Sequence, residues 1–189
     1  MQKSKFRLTS ESPLLLHNGQ TADPSNRFSK EMKKISGKRG KTDADFDQLA
    51  KLEWYAGLYT DKGRVCVPGE VLEAALVVGS RKQKLGKQAQ AGLFVVDNVL
   101  LEFDGCDLSI DELWERDENR FTKGVRVGQA KVMRTRPIFR EWSAIAEVAF
   151  DPALLNEAQV VEIVKTTGEV IGLCDWRPKF GRYRSEAIA

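Results

Sequence analysis

A chain of 189 residues, 42% hydrophobic and 30% charged, has apolar material for one cored domain, with or without a sizeable insertion, and charge enough to stay soluble. It has no run of about 18 apolar residues, so no bilayer span is expected, and its basic start lacks an apolar h-region and a small-residue cleavage site, so no signal peptide is expected. One histidine, His17, excludes a multi-histidine metal site, and Cys66, Cys106 and Cys174, widely spaced and in no CxxC pattern, read as free thiols of a cytoplasmic protein.

Residues 5–17, "KFRLTSESPLLLH", predict a strand in which Phe6 and Leu8 alternate with polar neighbours, with Pro13 interrupting before a second apolar run. From 18 to 45 the chain turns polar and basic, which predicts a surface insertion with a short helix over 28–35 that includes Met32 and Ile35. "DADFDQLAKLEWYAGLY" predicts a helix with Asp43 as N-cap, apolar positions at Phe46, Leu49, Ala50, Leu52 and Trp54, and a stop at Gly57. A short strand over 65–67 then meets Pro68-Gly69, and a helix follows on Val71, Leu72, Ala75, Leu76 and Val78, running out into Arg81, Lys82 and Lys84.

"AGLFVVDNVLLEFDG" predicts a strand pair or one strand broken at Asp97-Asn98. Ser109, with Glu112 three residues on, forms a capping box for a short helix. Val125, Val127, Ala130 and Val132 alternate along one strand that presents Arg134 and Arg136; Trp142 to Phe150 form another, and together they predict a hairpin about Arg140. A helix over 156–168 ends at Gly168, and residues 180–187 form a last edge strand. The order, with insertions removed, is βαββαβ: an α+β, ferredoxin-like antiparallel sheet with helices on one face, in a single domain over 1–189.

Net charge is only +3, but it is unevenly placed. Seven basic residues between Arg27 and Lys41 face one acid, Glu31, whereas residues 103–119 hold seven acids against Arg116. This predicts a directed surface with a basic and an acidic side.

Catalytic signatures are absent: no nucleophile elbow, no Walker loop, no GxGxxG after a strand. Asp23, Asp43, Asp45 and Asp47 lack the spacing of a calcium loop and read as solvated carboxylates. No catalytic residue, cofactor or metal ligand is assigned; a nuclease using His17 or an insertion carboxylate ranks third among the readings. A strand-tracking protein needs cations for phosphates, close backbone approach and rings for stacking. The closing stretch "VIGLCDWRPKFGRYRS" supplies all three: Arg177, Lys179, Arg182 and Arg184; Gly172 and Gly181; Trp176, Phe180 and Tyr183. The bland alternative makes Trp176 and Phe180 core and pairs the arginines with surface acids.

"VCVPGEVLEAALVVGSRKQ" resembles the signature of the RAMP superfamily, the repeat-associated proteins that form the backbone of CRISPR effector complexes. Val67, Pro68 and Gly69 match its turn, Leu72 an apolar position and Ala75-Leu76 its small-apolar pair. Glu70, Glu73-Ala74 and Val77 depart from it, the last standing where an arginine is usual. "GLCDWRPKFGRY" resembles that group's glycine-rich C-terminal loop, and "SPLLLHNG" its first strand. The chain is also similar to small phage and prophage proteins with "RTRPIF…W" and "GDWRPRFGRF" patterns, Cys174 replacing a glycine.

The resemblance implies an RRM-like fold, an RNA-facing surface and head-to-tail assembly along a strand. The expected function is non-catalytic binding of single-stranded RNA or DNA by a RAMP-like subunit, as a homo-oligomer or beside CRISPR-type effector subunits, in a bacterial or phage-infected cytoplasm and not at a membrane. The expected contacts are Lys33, Lys34, Lys38, Arg39 and Lys41 from the insertion, Arg134 and Arg136 from the strand, and Arg177, Lys179 and Arg182 from the closing loop. His17 and Trp176 are the stacking candidates. The alternative is a phage anti-defence protein that inhibits a host CRISPR-type complex by protein contact or subunit mimicry.

Overall fold

The computed structural model describes residues 1–188, apart from the side chains of Val127 and Ala130. The elements are, in chain order, β1 (Gln2–Ser10), β2 (Leu14–Leu15), α1 (Arg27–Ser36), α2 (Asp43–Gly57), β3 (Thr60–Asp61), β4 (Arg64–Val67), α3 (Gly69–Ser80) and α4 (Gly86–Gly92). There follow β5 (Leu93–Val95), β6 (Val99–Glu102), α5 (Ile110–Glu115), β7 (Arg120–Val127), β8 (Ala130–Phe139), β9 (Ser143–Phe150), α6 (Glu157–Thr166) and β10 (Tyr183–Ile188). This is an α+β fold whose strand pairs are mainly antiparallel. Among the described residues no helix is long and apolar enough to cross a membrane.

The chain packs as two compact units. The first comprises Met1–Leu15, Thr60–Asp107 and Phe139 onward. Its sheet runs β10-β1-β9-β6-β4-β3, with β5 also paired to β9. Period-2 patterning decides which side is core. On β1, Phe6 and Leu8 are buried while Lys5 and Arg7 are exposed, and the register sets Phe6 opposite Ala146 and Leu8 opposite Ala144. Large side chains thus face small ones across the central pair. Each such buried Phe or Leu contributes about 1.5–3 kcal/mol.

Pro68 is the N-cap of α3, and Gly69 sits where a Cβ would lie a tight 3.0 Å from the Asp97 carbonyl oxygen, which favours a residue without a side chain at this turn. α3 buries Leu72, Ala75, Leu76 and Gly79. The helix over 157–166 does not stop at Gly168 as expected; a π-helical turn carries it to Ile171. Gly168 is there for a different reason: a Cβ would lie 2.2 Å from the Tyr183 carbonyl oxygen. Gly172, at φ 76°, ends the helix instead.

The second unit comprises Leu16–Tyr59 and Leu108–Ile138. The basic insertion is largely helical here. α1 turns Phe28, Met32 and Ile35 inward to half-burial at helical spacing, and packs on α2. The N-cap of α2 is Thr42, one residue before the expected Asp43, in a capping box with Asp45. Phe46, expected inside, is exposed. Trp54 is fully buried, donating its indole N–H to the Asn119 carbonyl at 2.8 Å and meeting Trp114 edge-on. The Ser109–Glu112 capping box forms as read.

The expected hairpin about Arg140 is not formed. β8 pairs backwards with β7 about the turn at Gly128-Gln129, whereas β9 pairs with β1, β5 and β6. Gly128, at φ 59°, supplies the turn inside what alternation alone reads as one strand. The inward alternation assigned to Val127 and Ala130 concerns side chains outside the described residues.

Candidate nucleic-acid interface

The second unit holds a cavity of about 450 Å³, within the usual size of ligand sites. His17, Lys33, Arg134 and Arg136, four of the residues expected to bind, line it. They come from three separate stretches of chain. α1 presents Ser29, Met32, Lys33 and Ser36, a helical-period face, and β8 presents Arg134 and Arg136, two residues apart and therefore on one side of the strand. The last turns of α2 contribute Glu53, Ala56 and Gly57, and the segment before α1 contributes His17, Asn18 and Thr21.

Glu53 is the residue that sequence reading missed. Its side chain is only 10% exposed; Arg134 donates to one carboxylate oxygen, and the Thr135 backbone N–H donates to the other at 2.9 Å. A carboxylate taken out of water is costly unless paired and hydrogen-bonded. Here the pairing fixes the Arg134 guanidinium, which stays 40% exposed and retains further N–H donors. The only signal was spacing, since Glu53 falls between Leu49 and Ala56 at helical intervals.

Two polar side chains finish the carbonyl end of α2. The Asn18 amide donates to the Leu58 carbonyl at 3.0 Å and its backbone N–H to that of Gly57, also at 3.0 Å. The Gln20 amide donates to the Ala56 carbonyl at 2.9 Å. These bonds satisfy the negative helix end, which would otherwise oppose an anion nearby. His17 is exposed, and its carbonyl accepts the Tyr59 hydroxyl at 3.1 Å.

The remaining insertion cations do not reach the cavity lining. Lys34 and Arg39 are exposed, Lys38 pairs with Asp45 at 2.5 Å, and Lys41 donates to the Lys38 carbonyl at 3.2 Å. Lys38 and the Thr42 backbone hold the Asp45 carboxyl down to about 2. The Asp23 carboxyl is also lowered, by Ser25. These acids serve local turns and caps, and among the described residues no three metal-ligating side chains gather.

In the first unit the closing loop spans Gly172 to Gly181. Its glycines, expected to allow close approach to a ligand, are instead both buried and let the loop's own backbone close. Leu173 N–H donates to the Gly181 carbonyl at 2.9 Å, and Gly181 N–H to the Pro13 carbonyl at 2.8 Å. A Cβ on Gly181 would lie 2.1 Å from the Leu173 carbonyl oxygen. Asp175 N–H ties the loop to Leu15 at 2.9 Å.

Cys174 and Trp176 are both held at positive φ, 60° and 54°, a conformation costing about 1–2 kcal/mol per non-glycine residue. Trp176 is 43% exposed, with Lys179 Nζ 5.5 Å from its ring centroid. Phe180 and Tyr183, read as stacking rings, are core instead, at 7% and 0% exposure, and Tyr183 donates its hydroxyl to the Val164 carbonyl. Only Trp176 of the three can meet a base.

Arg177 and Lys179 are exposed. Arg182 and Arg184 lie 3.8 and 3.7 Å from Glu11, an exposed pairing worth about 0–1 kcal/mol that a phosphate can displace. Burial pushes the Cys174 thiol up to about 12 and the Cys66 thiol to about 11, so neither is ionised near neutrality. No protein-family description matches the chain, and no curated protein matches it.

Proposed function

We propose that the protein binds single-stranded nucleic acid, RNA foremost, without cleaving it, as a RAMP-like subunit in the cytoplasm of a bacterial or phage-infected cell. One observation carries the reading: His17, Lys33, Arg134 and Arg136, chosen for phosphate or base contact, share one cavity. Cations fixed before the ligand arrives lose less freedom on binding, and a guanidinium held by a buried carboxylate is such a group. The closing loop adds a stiffly held, exposed ring beside Arg177 and Lys179, the pairing of stacking platform and charge that strand binders use.

The ferredoxin-like reading is supported by strand order. Taking β1, β6, β9 and β10 as the four core strands and α3 and α6 as the two helices, the chain order is βαββαβ and the sheet order is fourth, first, third, second. Neighbours are antiparallel throughout, and α3 and α6 pack on one another.

A second reading, a phage anti-defence protein that docks on a CRISPR-type complex, draws on Trp176 and Arg177. Exposed tryptophan and arginine are the residue types that dominate protein–protein hot spots. Purification separates the two. Under the first reading nuclease-sensitive nucleic acid copurifies, and added single-stranded RNA is bound and stays intact with divalent metal present. A protein that emerges free of nucleic acid, ignores added RNA and retains effector subunits contradicts the first reading and supports the second.

A further inference from the structure

We propose that the hairpin of β7 and β8 is an arm that enters the major groove of duplex DNA. Single-strand binding is not needed for this, since the arm is a separate part of the second unit and its ligand a different one. Residues 120–139, the two strands and their turn, hold six basic residues and no acid. At the base of the arm, carboxylates from outside it meet the charge: Asp117 pairs with Arg120, and Glu53 with Arg134. Nearer the turn this stops. Arg126 and Lys131 stand directly opposite each other in the register, both exposed, and among the described residues neither pairs with a carboxylate.

Arg126 donates its Nε–H to the Gly128 carbonyl at 3.1 Å and retains its terminal N–H donors. Gly124 holds the pair in place from the other side. The Lys131 stem lies across it, where a Cβ would stand 2.5 Å from Lys131 Cε, so Lys131 shares the Gly124 and Arg126 face. Like charges directly opposite one another destabilise a sheet. An anion that reaches both cations relieves that repulsion.

Shape selects the anion. Arg126, Lys131 and Met133 are exposed on one face of the ribbon, Lys123 on the other, and Gly128 and Gln129 at the tip. A ribbon open on both faces and at its end is convex. Single strands lie in basic grooves lined with stacking rings, whereas the major groove of B-DNA, about 12 Å wide, admits a two-stranded ribbon. Paired strands lie about 4.8 Å apart, so Arg126 on one and Lys131 on the other serve opposite phosphate walls. Gln129 brings to the tip an amide that both donates and accepts, the chemistry of base edges.

The test follows the intact protein by fluorescence anisotropy across a salt series. Its probes are a labelled mixed-sequence DNA duplex, the same sequence as duplex RNA, and a single-stranded RNA. The DNA duplex should bind, and Arg126→Gln with Lys131→Gln should shallow its salt slope by about 1.8, two phosphate contacts at about 0.9 each. Low-salt affinity should fall at least about tenfold, or about 1.4 kcal/mol. Lys82→Gln with Lys87→Gln removes the same charge from exposed positions of the first unit and should leave duplex affinity at the wild-type level. Thermal unfolding of both variants should match wild type. Duplex RNA should bind more weakly than duplex DNA, because its deep, narrow major groove excludes the ribbon.

No duplex binding by wild type overturns the proposal, as does undiminished affinity in the hairpin variant. Equal losses in the two variants, or duplex RNA bound as tightly as duplex DNA, overturn it too, since bulk charge then explains the binding. So does single-stranded RNA weakened by the hairpin variant as much as the duplex. Duplex binding lost in that variant with single-stranded RNA affinity intact upholds the proposal and leaves the strand reading standing. Hairpin-dependent duplex binding with single-stranded RNA ignored by wild type upholds the proposal and removes the strand reading.

Discussion

The closing loop and the cavity fix their cations by opposite means. The loop is held by backbone: two buried glycines, hydrogen bonds from Gly181 to Pro13 and from Asp175 to Leu15, and two residues in left-handed conformation. Its arginine and lysine, Arg177 and Lys179, extend from that frame to the surface. The cavity is held by side chains: Glu53 clamps Arg134 while Asn18 and Gln20 finish a helix end. Sites built on backbone should fail by unfolding when disturbed; sites built on side chains should fail by losing alignment.

The sharpest break comes from Gly181→Ala. Its φ of 75° is unfavourable for alanine, and the new Cβ would lie 2.1 Å from a carbonyl oxygen. A loss of at least about 3 kcal/mol in denaturant unfolding is expected, because the contact is backbone on backbone and cannot be relieved by a rotamer. Next is Glu53→Ala in the cavity, which leaves the Thr135 N–H and the Arg134 guanidinium without their acceptor. About 1–3 kcal/mol should be lost, with Arg134 partly recovering water.

Trp176→Ala should spare stability, since the ring is 43% exposed, and lower RNA affinity by about 1–3 kcal/mol if a base stacks there. Thr42→Ala removes the α2 N-cap and should cost about 1 kcal/mol by thermal unfolding. The smallest effect is a pH dependence in the same cap. Asp45 is lowered to about 2 by Lys38 and Thr42, so its stabilising effect is complete above the unfolded value near 3.9 and fades as pH falls through about 2. Asp45→Asn should flatten that acid limb, as read by circular dichroism between about pH 5 and 2.

Local signals were legible and long-range choices were not. The capping box at Ser109 and Glu112, the helix over 43–57 and the Pro68-Gly69 turn follow from chemistry within a few residues. The partner of β8 does not: alternation gives the face of a strand, not its neighbour, and it continues across Gly128 as though the turn were absent. Gly168 looked like a helix stop because glycine commonly is one, whereas here Tyr183 claims the space.

In the site, residue type pointed to His17, Lys33, Arg134 and Arg136, whose convergence rests on the packing of α1, α2 and β8. Glu53 was illegible because a helical glutamate usually faces water. Phe180 and Tyr183 failed as stacking rings for the converse reason: only tertiary contacts decide which rings of an aromatic loop turn inward.

The central claim, that preorganised cations engage nucleic-acid phosphates, is tested most directly by salt. Binding of a labelled single-stranded RNA would be followed by fluorescence anisotropy across a salt series, for wild type and for the Lys33→Gln, Arg136→Gln, Arg177→Gln, Lys179→Gln variant. Wild-type affinity should fall linearly on logarithmic axes, and each lost phosphate contact should shallow the slope by about 0.7. Equal slopes and affinities for the two proteins, or no binding by wild type at low salt, would contradict it.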